Sequence, residues 1–263
     1  MVRDFENTGY WAIILGGSSG LGLASAKKLA QHGMNICVVH RNARAEMEQI
    51  QNQFTEIKSN GIAFLDFNAD VLNKQKQAEI LAVVKEKIGR KGSVRCLLHS
   101  VAKGNLKQMV GENQLTTDDF QVTLNAMAIS LYDWTKAIYN EDLFAKDARV
   151  ISFTSEGSSK AWQNYGAVSA AKAALEAISR NIALEFAPYG IRANCIQAGV
   201  TDTQSLRMIP GNEKIREFTA MRNPFKRLTM AKDVADAVYL LCKDEAAWIN
   251  GAVIPVNGGE HLQ

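Results

Sequence analysis

Proline, cysteine and histidine are scarce in this 263-residue chain, with four of each. So little proline beside 19 glycines excludes collagen-like and proline-rich architectures. Cys37, Cys96, Cys195 and Cys242 form no C-x-x-C pair, and His32, His40, His99 and His261 are scattered. Metal-ligand spacing is therefore absent, and no metal site is expected. Buried free thiols in a reducing cytoplasm are the expectation. The early apolar run at 10–15 is too short to cross a bilayer. Asp4 and Glu6 interrupt the start where a secretory signal would need an apolar core. Neither membrane attachment nor export is expected. Net charge is only +3, too small a total to imply nucleic acid. A composition 47% hydrophobic and 22% charged excludes bulk disorder.

Short apolar runs alternate with longer helical patterns. Strands are expected at 10–15, 35–40, 61–67, 94–100, 148–155, 191–197 and 252–256. Helices are expected at 20–33, 43–59, 73–88, 117–145, 164–187 and 231–242. Continuous apolar strands separated by helices imply a parallel sheet covered on both faces. The expected fold is α/β, a Rossmann-like doubly wound parallel sheet of about seven strands. Residues 1–263 read as one domain, with 203–229 as an irregular insertion of the kind that forms a binding lid.

The first strand runs into Gly16-Gly17-Ser18-Ser19-Gly20-Leu21-Gly22. Glycines allow a tight turn and close approach of a diphosphate to a helix N-terminus, whose free N–H groups attract anions. The spacing is G-x-x-x-G-x-G. A site for NAD would place a carboxylate at the end of the second strand. That place holds His40-Arg41, with Arg44 nearby. Arg41 suits a 2′-phosphate, which favours NADP(H); alternatively, Arg41 and Arg44 merely solvate a helix start.

Residues 148–175 read ARVISFTSEGSSKAWQNYGAVSAAKAAL. Here the chain resembles the short-chain dehydrogenase/reductase family, over nearly its whole length. The turn at 16–22 resembles the family's cofactor turn. Asp70-Val71 resembles its adenine-contacting pair, and Asn125 falls where its catalytic Asn lies. Ser155 stands 17 residues before Lys172, the family's Ser-to-Lys separation. Ala198-Gly199-Val200-Thr201-Asp202-Thr203 resembles the segment that holds the nicotinamide, with Ala in place of Pro, and Val256-Asn257-Gly258-Gly259 resembles the family's close.

Two departures are informative. The family's usual Tyr lies four residues before the Lys, where this chain has Val168; its Tyr is Tyr165, giving Y-x6-K. The loop after the fourth strand is His99-Ser100-Val101-Ala102 rather than N-N-A-G. Both resemble the enoyl-acyl carrier protein reductases of the family, in the NADPH-dependent style that keeps Ser and Asn. Positions seven apart on a helix lie within roughly 20° of one face and about 10.5 Å apart along the axis. A Tyr displaced in this way suits the distant thioester oxygen of an enoyl substrate.

The resemblance assigns catalysis to Tyr165, Lys172, Ser155 and Asn125. It assigns NADPH binding to Gly16, Ser18, Ser19, Gly20, Leu21, Gly22, Arg41, Asp70, Val71, Ser100, Val101, Ala102, Lys172, Val200 and Thr203. Tyr165 is expected to donate to a forming enolate oxygen, and Lys172 to hold the ribose and lower the Tyr pKa. Asn125 is expected either to hold a relay water or to serve the helix alone; Ser155 orients substrate or is a strand-end turn residue. His99 reads as support for the cofactor loop. Carbonyl reduction of 3-oxoacyl thioesters or small ketones, and dienoyl-thioester reduction, are the alternatives. Residues 203–228 carry six basic and two acidic side chains with Leu206, Met208, Ile209, Phe218, Met221 and Phe225. They read either as an acyl tunnel that meets an acyl carrier protein or CoA thioester, or as an ordinary amphipathic surface. Family resemblance further implies a homotetramer paired through 117–145 and 164–187.

Overall fold

The computed structural model describes residues 2–209 and 211–262. In chain order the elements are β1 (Tyr10–Leu15), α1 (Gly20–Gln31), β2 (Asn35–His40), α2 (Met47–Lys58), β3 (Phe64–Asn68), α3 (Lys74–Ile88), β4 (Ser93–His99) and α4 (Thr117–Leu124). They continue with α5 (Ser130–Asn140), β5 (Phe144–Thr154), α6 (Gly166–Glu185), β6 (Ile191–Ala198), α7 (Gln204–Arg207), α8 (Asn212–Arg222), α9 (Ala231–Cys242) and β7 (Val253–Val256). The seven strands form one parallel sheet in the order β3-β2-β1-β4-β5-β6-β7.

Period-two alternation divides the core between the two faces of the sheet. From β1, Trp11, Ile13 and Leu15 join α3, α5 and α6 on one face. Ala12 and Ile14 join α1, α2 and α9 on the other. Strand order reverses between β1 and β4, so a crevice opens beyond their carboxyl ends.

The expected helix at 117–145 is interrupted. Asn125–Ile129 form a π turn between α4 and α5. Chain direction then changes at Asp142, in the left-handed region at φ 54°, and β5 already begins at Phe144.

Opposite the crevice, Arg95, Arg149 and Arg192 stand on adjacent strands and converge on Asp147. Arg95 and Arg149 are each 1% exposed. Their Nε–H groups donate to Cys242 and Leu241 carbonyls at 3.0 and 2.9 Å, at the C-terminus of α9 where cations are favoured. Burial alone would raise the Asp147 pKa, but the guanidiniums outweigh it and hold it below the usual range. Asp147 is the carboxylate of Arg149. Asp147→Ala should therefore destabilise the fold by about 3 kcal/mol, the lower end for an orphaned buried charge, read by urea denaturation.

Candidate active site

One cavity lies at the carboxyl ends of β1, β4, β5 and β6, where Gly16, Ser100, Ser155 and Gly199 leave the sheet. It brings together Ser19, Gly20, Leu21, Ser100, Val101, Ala102, Ser155, Tyr165, Lys172, Val200 and Thr203 with Gly16.

The phosphate side begins at α1. Ser19 precedes the helix in extended conformation, its hydroxyl makes no capping bond, and no acid occupies the first turn. The N–H groups of this turn therefore have no side-chain acceptor and the dipole is not offset, which fits a dinucleotide diphosphate. A Cβ on Gly16 would come 2.4 Å from the Ser100 carbonyl oxygen, and one on Gly22 would come 2.3 Å from that of Gly16. Gly22 thus serves close packing, and neither Gly22 nor Ser18 lines the cavity.

Arg41, Asp70 and Val71 also lie outside it. Arg41 donates to Asp70 at 3.0 Å, and Lys103 stands 3.7 Å from the same carboxylate. Val71 accepts the Trp134 indole N–H at 2.9 Å through its carbonyl.

At the reacting end, Lys172 is buried and donates from Nζ to the Phe153 carbonyl at 2.6 Å. Burial pushes its pKa down to about 8, against the opposing pull of Cys195 and Glu176. Tyr165 is not on the helix: it is the residue before α6, following Asn164 at φ 62°. The helix-face relation expected between Tyr165 and Lys172 does not apply, because α6 starts at Gly166. Instead the Tyr165 ring rests on Gly157, where a Cβ would sit 2.6 Å from Cε1. Trp162 packs beside it with ring centroids 5.5 Å apart.

Burial raises the Tyr165 pKa, with the neighbouring Ser155 hydroxyl pulling the other way. The expected lowering by Lys172 is absent. Ser155 Oγ is buried without a well-formed hydrogen bond of its own. Val168 is 5% exposed, so the position four before Lys172 is an apolar wall.

Of the two readings of Asn125, the fold shows the helical one. It opens the π turn with its side chain exposed and does not line the cavity. His99 is fully buried and faces Ser130 Oγ at 2.8 Å from Nε2. Burial, aided by the Lys172 charge, lowers its pKa to about 3, so it is neutral and supports the wall.

The lid divides between its two readings. Leu206 and Ile209 line the cavity, but Met208, Phe218, Met221 and Phe225 face outward. Its basic side chains are largely engaged. Arg207 and Arg216 pair with Asp202, Arg227 with Asp233, and Arg222 with Glu156 and Glu260. All four carboxylates lie outside 203–228, so they offset the segment's charge excess. Trp162, Glu156, Gly157 and Glu260 are site residues that sequence reasoning missed. Trp162 precedes Tyr165 closely, a findable signal, whereas Glu260 reaches the site from the far end of the chain. Among the described residues no helix is long and apolar enough to cross a membrane.

A family model described as enoyl-(acyl carrier protein) reductase matches residues 16–261. The (2S)-[(R)-hydroxy(phenyl)methyl]succinyl-CoA dehydrogenase subunit BbsD of Thauera aromatica is 26% identical, covering 95% of this chain and 96% of its own. The 1-cyclohexenylcarbonyl-CoA reductase of Streptomyces collinus is 27% identical, covering 94% and 85%. The solved enoyl-[acyl-carrier-protein] reductase (NADH) of Aquifex aeolicus superposes with a TM-score of 0.84 at 23% identity, covering 98% of both chains. At that identity the last shows a shared fold.

The buried ammonium generates a pH prediction. Folded Lys172 titrates near 8, against 10.5 for a free lysine. Between these values the unfolded chain binds more protons, so stability rises with pH. The cost of burying the charge is full below pH about 8 and is relieved above it. A Lys172→Met variant lacks this cost. Its stability advantage over the parent protein, read by urea midpoints, should be larger at pH 7 than at pH 9.5. An equal gap at both would assign the slope to other groups.

Proposed function

The chain belongs to the short-chain dehydrogenase/reductase family, within the group described as enoyl-(acyl carrier protein) reductases, and from that premise we propose that it reduces the α,β double bond of enoyl thioesters with NADPH. It is an oxidoreductase of a family that binds a nicotinamide dinucleotide. The observation that carries the finer reading is an exchange of positions. Apolar Val168 occupies the place four before Lys172, while the phenol of the same cavity belongs to Tyr165.

NADPH supplies the hydride when bound; the side chains supply position and polarity. Hydride addition at the β-carbon would place negative charge on the thioester oxygen, and a solvent proton taken up at the α-carbon would complete the two-electron reduction. Tyr165, kept protonated by burial, donates a hydrogen bond to that oxygen. Ser155 Oγ, buried beside the phenol, orients it. The Lys172 ammonium, placed by its bond to the Phe153 carbonyl, would hold the ribose hydroxyls of the cofactor. Leu106, Met127, Trp162, Val168, Leu206 and Ile209 provide an apolar wall for the acyl chain. At the far end Arg41 favours the 2′-phosphate of NADPH, in competition with its pairing to Asp70.

The acyl group arrives as a carrier-protein or coenzyme A thioester. Exposed Val122, Ile129 and Tyr132 on α4, the π turn and α5 support contact between copies in a cytoplasmic homotetramer.

The test is a substrate panel of crotonyl and longer enoyl thioesters against acetoacetyl thioester, each with NADPH and NADH. Enoyl turnover with NADPH should be fastest; faster acetoacetyl turnover would assign carbonyl reduction instead. Tyr165→Phe should lower kcat by about 10²-fold while leaving NADPH affinity unchanged. Unaltered turnover would remove Tyr165 from its role.

A further inference from the structure

Three ionisable side chains from distant parts of the sequence meet at the reacting end of the cavity, two of them lining it. Arg222, at the end of α8 in the lid, lies 2.5 Å from Glu156 Oε2 and 2.9 Å from Glu260 Oε1. Their side chains are 10%, 8% and 3% exposed. Lys160 also contacts Glu156 from the rim. Two carboxylates on one guanidinium in so dry a place form a costly cluster to break, because loss of the cation leaves both anions buried.

Each carboxylate is tied to a different wall. Glu156 sits between Ser155 and Gly157. On one side is the hydroxyl beside Tyr165; on the other is the glycine on which the Tyr165 ring rests, with no space for a Cβ. The Ser169 hydroxyl holds the Gly157 carbonyl to α6. Glu260 Oε2 accepts the Val200 N–H at 3.2 Å, and a Cβ on Gly199 would come 2.8 Å from the same oxygen. Arg222 thus connects the lid both to the platform under the phenol and to the segment after β6.

We propose that Arg222 is a positioning residue, which acts through Glu156 on Ser155 and Tyr165 and through Glu260 on Gly199 and Val200. Arg222 itself does not line the cavity. Closing the lid and aligning the Tyr165 hydroxyl are one event, because the same guanidinium holds both. The catalytic consequence rests on the reductase reading given above; the mechanical link does not.

Amide hydrogen exchange on the protein alone reads the link without any activity. In Arg222→Met, exchange should rise at least about tenfold in 155–160, 199–203 and α8 together, as expected for local opening after loss of a buried pair. Elsewhere, including β1 and α1, it should stay unchanged. Arg222→Lys, which keeps the charge but loses the planar two-nitrogen fork that meets both oxygens of Glu156, should fall between the two. Glu260→Gln, a milder change that keeps the fold if Arg222→Met does not, should loosen 199–203 and leave both α8 and 155–160 as in the parent, because Arg222 still holds Glu156. With the substrate that the panel selects, Arg222→Lys should lower kcat about tenfold with KM nearly unchanged.

Unchanged exchange in all three segments, or a uniform rise over the whole chain, would overturn the proposal. So would a change in KM alone. If no substrate is turned over by the parent protein, the reductase reading fails, and the exchange pattern still decides whether Arg222 couples the two walls.

Discussion

No side chain fits between the turn after β1 and the loop after β4. The backbone of Gly16 passes so close to Ser100 that a single methyl would overlap the carbonyl oxygen, and Gly22 closes against Gly16 in the same way. This contact sets the position of α1, whose N-terminus then opens to the crevice between the diverging halves of the sheet. The strand order places β5 next to β4 and β6 next to β5. Ser155 and Gly199 consequently emerge at the same level as Ser100. A cavity with a phosphate end and a reacting end is a result of that geometry before any catalytic side chain is considered.

Charge illustrates what a linear reading loses. Residues 203–228 appear as a basic strip when counted along the chain. In the fold, Asp202, Asp233, Glu156 and Glu260 offset most of it. Arg95 and Arg149 show the same effect at the other end of the sheet. They look like solvated residues among apolar neighbours, yet they cap α9 from within the core. Pairing over long sequence separations leaves no local pattern, so the ionic framework of the molecule is invisible until the strands are aligned.

The architecture was legible for a physical reason: strands buried on both faces must be continuously apolar, and the helices between them must be long enough to cross over. Parts of the site carried local marks as well, in the glycine turn and in Ser155 and Lys172. What failed were features set by backbone departures. The π turn at Asn125–Ile129 has no distinct composition, and it leaves Asn125 exposed. The left-handed Asp142 ended a helical pattern that the apolar spacing would have continued into β5.

The spacing of Tyr165 and Lys172 belongs with those departures. Counting residues along an ideal helix gives the two side chains a common face, but Tyr165 precedes the first turn of α6. Its direction comes from the left-handed Asn164 and from the bare surface of Gly157. Six intervening residues therefore describe a loop's reach rather than a helical displacement. Val168, one turn into α6, takes the wall position beside Gly104, where Val168 Cγ2 leaves no room for a Cβ. The phenol stands off the helix, and the helix surface at 168 is apolar. A hydroxyl held by a loop can point toward a more distant oxygen, while the apolar helical position offers no acid to an oxygen on the hydride-accepting carbon itself. In the proposed reading, the preference for conjugate over carbonyl reduction rests on this arrangement rather than on the residue count.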